Sequence, residues 1–162
     1  MTAFSTLTDL ELIPVIEEQN SRLSFTSFDH DDAVALGNAL VARAAADDLS
    51  FTTSILFGAQ RVFHAARPGT NADNDDWLAK KARVVARFDA PSLLVGARCR
   101  AAGIDFHEVF GLDRSQFIPA GGGFPLRVNG SLTGFVGVSG LPERDDHSIV
   151  VEALEAAIAR HS

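Results

Sequence analysis

Residues 74–88 place a lysine where a helix should bury its face. At ~100° per residue, Trp77, Val84 and Phe88 share one helical stripe, with Asn74, Lys81 and Val85 close beside them. Lys80, Arg83 and Arg87 fall on the other side, where water is expected. An ammonium on or at the edge of an apolar stripe must snorkel to water, pair with a carboxylate, or meet the anion of a ligand. In the last case Asn74 and Trp77 would line the same site.

Histidines are the next groups able to do chemistry. His64 lies in an alternating stretch on the face of Val62 and Ala66, opposite to Phe63 and Ala65. It can serve as a ligand donor or as a hydrogen-bonded strand histidine. His147 follows Asp145 and Asp146 at the start of an amphipathic helix, where carboxylates favour the positive helix end without further chemistry. No HExxH or paired CxxC spacing occurs, so a metal site would need distant segments and none is assigned. Leu141 occupies the second glycine position that a G-x-S-x-G elbow around Ser139 requires, so no catalytic nucleophile is assigned.

Gly121-Gly122-Gly123 leads into another alternating stretch. No Gly-Lys-Ser/Thr follows, which excludes a Walker loop, and no helix follows as the G-x-G-x-x-G fingerprint demands. The backbone N–H groups of the triplet could cradle a carboxylate or propionate. Close packing of strand against helix is the alternative.

The elements that must position these groups alternate between helices and hairpins. Residues 7–18 read as a short helix within an N-terminal segment (1–20) expected at the periphery, and residues 22–28 as an edge strand. Asp29, with Asp32 three residues on, caps a helix to about residue 47 with the stripe Ala33, Leu36, Gly37, Leu40, Val41 and Ala44. Residues 51–57 and 61–67 flank Gly58-Ala59-Gln60 as a hairpin, and Pro68-Gly69-Thr70 is a turn. Helical segments follow over 74–88 and 92–101. The second hairpin turns at Asn129-Gly130, and a helix over about 145–160 closes the chain. Both hairpin connections are too short for parallel crossovers, so the fold is α+β, an antiparallel sheet of about five strands covered by helices in a single domain over 1–162.

Composition bounds the function. The 162 residues hold 46% hydrophobic and 22% charged residues, the balance of a globular domain. There are 12 Phe but no Tyr, so no phenol can act as an acid or metal ligand. The lone Cys99 excludes an internal disulfide and suits a reducing compartment. With no secretory leader and no membrane-length apolar run, a cytoplasmic protein is expected. The net charge of −7 is concentrated in the first 60 residues, with a mildly basic middle from Arg61 to Arg127. That distribution argues against nucleic acid and allows a small anionic ligand.

Two separated blocks carry a family resemblance. The first is Gly121–Pro125, Val128–Gly130, Val138–Pro142, Asp146-His147 and Val151–Leu154; the second is Pro68-Gly69-Thr70 with Asn74, Trp77, Lys81 and Arg87-Phe88. From Asp29 onward the chain resembles the GlcG/HbpS-like (haem-degrading domain) superfamily, in its uncharacterised protein family 0303 branch. Lys80 stands where arginine is usual, and Pro91 replaces the first of a serine pair, leaving Ser92. The resemblance implies a profilin-like α-β-α sandwich, a homo-oligomer, and haem as a cofactor by resemblance alone. Two functions follow. One is binding of a tetrapyrrole or small carboxylate by His64, Asn74, Trp77, Lys81, Gly121, Gly122, Gly123 and His147. The other is a ligand-free oligomeric scaffold in which the same motifs are core and contact residues.

Overall fold

A computed structural model describes residues 2–161 of the chain. Three capping boxes start its helices where side-chain oxygens can satisfy the free N–H groups of a first turn. Thr8 with Glu11 opens α2 (Asp9–Arg22), behind the short α1 (Thr2–Thr6). Asp29 with Asp32 opens α3 (His30–Ala46), and Asn71 with Asn74 opens α4 (Ala72–Phe88). Helix α4 stops at Asp89, which is left-handed at φ 50°, ahead of Ala90 and Pro91. Then come α5 (Ser92–Ala102), α6 (Phe106–Phe110) and α7 (Glu143–His161).

Four strands form one antiparallel sheet in the order β2-β1-β4-β3. They are β1 (Thr52–Phe57), β2 (Gln60–Ala66), β3 (Gly123–Val128) and β4 (Ser131–Ser139). Asn129 and Gly130 turn the second hairpin at φ 50° and 80°, the left-handed pair of a type I′ turn. The edge strand expected over 22–28 is reduced to a single parallel bridge, Phe25 to Val128. Helix α2 runs on to Arg22, which leaves too little chain, and Leu23 and Phe25 turn into the core instead.

The sheet lies between helical layers. On one face Ile55, Phe124, Leu126, Val136 and Val138 pack against Leu36 and Leu40 of α3 and Val150 and Leu154 of α7. On the other, α4 lies over β4, β3 and β1, with Leu78 and Val85 against Phe135. Helix α2 packs onto α5, and its Leu12 and Ile16 are fully buried there with Leu93 and Leu94. The N-terminal segment expected at the periphery is thus part of a packed layer. This α-β-α arrangement matches the α+β sandwich read from the sequence, with four strands in the sheet.

Candidate functional site

Lys81 does not snorkel. Its side chain is 2% exposed, and Nζ donates to the Val138 carbonyl (3.0 Å) and to Asp146 Oδ2 (3.2 Å). Asp146, equally buried, also accepts from the amides of Leu141 (3.0 Å) and Gly140 (3.4 Å). Burial pulls the Lys81 ammonium below its ordinary pKa, against the pull of Asp146. Burial likewise raises the Asp146 carboxyl to about 6, opposed by Lys81 and by the Leu141 and Gly140 amides. At neutral pH the two form a buried ion pair between α4 and α7, across the end of β4.

The glycine triplet packs around this pair. The Gly121 amide donates to Glu143 Oε2 (2.9 Å) and the Gly123 amide to Ser92 Oγ (2.9 Å), so neither is free to cradle an anion. Gly122 sits at φ +122°, and a Cβ there would lie 2.3 Å from the Val138 carbonyl and 2.8 Å from Lys81 Nζ. Only glycine fits. Asn74 is the third residue of the α4 capping box, with Oδ1 accepting from the Asn71 amide (2.9 Å). Trp77 is half-buried on the same helix.

His147 is sealed inside the protein at 1% exposure, stacked on Phe4 and tilted against Phe124. Nε2 meets Gln19 Oε1 at 2.7 Å, while Nδ1 is buried without a partner. The Nε2–H tautomer satisfies this, since it donates to Gln19 and leaves only a lone pair at Nδ1. Burial drives the pKa down to about 3, so the ring is neutral at physiological pH.

His64 stands apart from all of these, on the wall of a groove of about 710 Å³ between α4 and the open face of the sheet. Its cross-strand partner Ser54 holds Nδ1 through Oγ at 2.6 Å. Asp75, in the first turn of α4, lies 3.4 Å from Nε2 and is half exposed. Leu56, Leu78, Ala82, Val85 and Phe135 give the groove an apolar floor and wall. With the proton on Nε2, the ring donates toward Asp75 and accepts from the Ser54 hydroxyl. With it on Nδ1, Ser54 becomes the acceptor and the Nε2 lone pair is free to bind. Acyl transfer at Ser54 lacks an oxyanion site, because β1 is paired along both edges and its amides are committed to the ladders. Among the described residues no cluster of three or more His, Cys, Asp or Glu is arranged for a metal.

Of the sequence candidates, then, Lys81 and Gly122 come together around Asp146, His147 is enclosed beside them in sequence but faces α1 and α2, and His64 alone lines the groove. Ser54, Asp75 and Asp146 were missed. Cross-strand register would have found Ser54. Asp146 lies 65 residues from Lys81, and no local pattern marks the pair.

Two outcomes follow. Lys81→Met leaves the Asp146 carboxylate buried without its counter-ion, a loss of about 3–5 kcal/mol, which lowers the melting temperature at pH 7 by roughly 10 °C. The loss shrinks at pH 5, where Asp146 is protonated; an unchanged melting temperature at pH 7 contradicts the pair. His147 binds its proton more weakly in the fold than in the unfolded chain. Its contribution is therefore complete above pH 6.5 and declines as pH falls toward 3, by on the order of 4 kcal/mol. Asp146 acts in the opposite sense, losing stability as pH rises from about 4 through 6, but it is common to wild type and a His147→Leu variant. Urea unfolding should show the difference between the two moving in favour of the variant from pH 7 to pH 4. A difference that is constant with pH contradicts a buried neutral ring.

Comparison with known proteins supplies the lineage. The family model for haem-degrading HbpS-like proteins matches residues 28–155. A UPF0303 protein of Streptomyces avermitilis is 46% identical over 149 residues, 91% of each chain. Among solved structures, Ybr137w superposes with a TM-score of 0.85 at 21% identity, covering 93% of this chain and 90% of its own. The PduOC–haem complex superposes with a TM-score of 0.68 at 22% identity, covering 82% and 95%. At these identities the two structures speak for the fold alone, whereas the sequence matches speak for descent. The chain belongs to the HbpS-like family of haem-degrading proteins, among the relatives that carry the UPF0303 name.

Proposed function

We propose that the groove beside α4 binds a flat, largely apolar ligand of the tetrapyrrole class, with His64 as its donor. The observation that carries this reading is the groove itself: about 710 Å³ of apolar-walled space with one imidazole on its wall, within the size range of small-molecule sites. The family's haem-degrading description and the haem held by the PduOC neighbour agree with it.

The residues present fit haem. Ser54 fixes one ring nitrogen of His64 and leaves the other for iron, as metal-ligating histidines are usually held. Asp75 is half exposed and its contact with Nε2 is long, so it can swing aside. When bound, haem supplies an iron centre for redox chemistry. The chain supplies the donor, the apolar walls that exclude water, and rim charges. In this reading Lys81, Asn74, Gly121, Gly122, Gly123 and His147 shape the protein and do not touch the ligand, and Trp77 lies outside the groove lining. A second reading, favoured by the apolar lining and by Leu132 exposed at its rim, is that another copy of the chain covers the groove in a scaffold.

Titration with haemin separates them. Wild type should bind saturably with a shifted Soret band, and His64→Ala, still folded by circular dichroism, should bind at least tenfold more weakly. Unsaturable uptake, or the same affinity in His64→Ala, contradicts the proposal. Loss of haemin binding at protein concentrations where sedimentation shows self-association would favour the scaffold.

A further inference from the structure

The wall opposite the apolar floor contains a feature that strand geometry alone would not place there. Arg61 and His64 are three residues apart on β2, and strict alternation would send them to opposite faces of the sheet. The register shows why it does not. Ser54 pairs with His64 and Ile55 with Phe63, but Leu56 pairs with Arg61, so Val62 is an extra residue in a β-bulge. The bulge turns Arg61 onto the face of His64, and both line the groove. Bulges commonly re-aim a side chain beside a functional site.

The Arg61 guanidinium has no hydrogen-bond or ion-pair partner among the described residues. Other arginines do meet acids, as Arg22 does with Glu18 and Glu155, and Arg43 with Asp47 and Glu152. What sets Arg61 apart from Arg67, Arg87 and Arg160, also unpaired among the described residues, is its place on the groove wall beside His64. Across the groove, Arg83 of α4 donates to the Gln116 carbonyl (3.1 Å) and also lines the space. The lining carries two arginines against Asp75, in a protein of net charge −7. An apolar floor with cationic groups above it suits a ligand with a hydrophobic body and an acidic arm.

We infer that Arg61 is the carboxylate-recognition residue of this groove, and that the site selects ligands bearing at least one free carboxylate on an apolar ring system. The inference rests on the groove being the ligand site, and the test keeps the two apart. Haemin, with two propionates, and haemin dimethyl ester, with both capped, are titrated into wild type and Arg61→Gln, followed by Soret absorbance. Wild type should bind haemin about tenfold or more tightly than the diester. Arg61→Gln should lose most of that preference by weakening haemin alone, and Arg61→Lys should recover part of it. Circular dichroism checks that the exposed hairpin position leaves the fold intact. If both porphyrins bind wild type equally, or Arg61→Gln keeps the preference, Arg61 is not the reader, although the groove remains the site. If neither porphyrin binds saturably, the groove reading fails and this one with it.

Discussion

Lys81 of α4 and Asp146 of α7 meet across the end of β4, joining helices that lie on the two faces of the sheet. An unpaired charge at 2% exposure is prohibitively costly, so each group requires the other. The pair fixes α4 against α7 and holds the carbonyl of Val138 between them. The backbone of the glycine triplet must then pass beside Nζ, with no room for a Cβ at Gly122. Ser92 and Glu143 take up the amides on either side of Gly122. The most conspicuous motif in the sequence is therefore the surrounding of an ion pair.

The groove is the other side of the same constraint. Helix α4 is tied at its middle to the β3–β4 half of the sheet, and α3 covers β2 and β1 from the opposite face. The α4-side face of β2 and β1 is left open beside α4, whose residues from Asp75 to Ala86 form the facing wall. That uncovered surface is where Ser54, His64 and Arg61 stand. Rigid strands hold the first two in register, and the bulge supplies the third.

Much of the fold was legible because it follows from local chemistry. Asp29 and Asp32 cap a helix in any context, the stripe from Ala33 to Ala44 has one face to bury, and Asn129-Gly130 suits a tight hairpin. Features that depend on distant partners were not. The anomaly of Lys81 was visible, but its three possible answers could be separated only by finding Asp146. Asn74 looked like a site residue because it falls at the edge of the stripe with Trp77 and Lys81; with the helix starting at Ala72 it becomes half of the capping box. The strand over 22–28 gave way because α2 runs through Pro14 to Arg22. Arg61 was hidden by alternation itself, since a one-residue bulge reverses the face of everything beyond it.

The central claim is a division of labour: the glycine triplet and the Lys81–Asp146 pair build the protein, and the β1–β2–α4 groove receives the ligand. Amide NMR of the 15N-labelled protein, titrated with diamagnetic gallium protoporphyrin, tests it most directly. The account predicts that the largest shift changes fall on Ser54, Leu56, Arg61, His64, Leu78, Ala82 and Gly134, with Gly121–Gly123 and His147 little altered. Changes centred on Gly121–Gly123 and Asp146, with the groove silent, would contradict it.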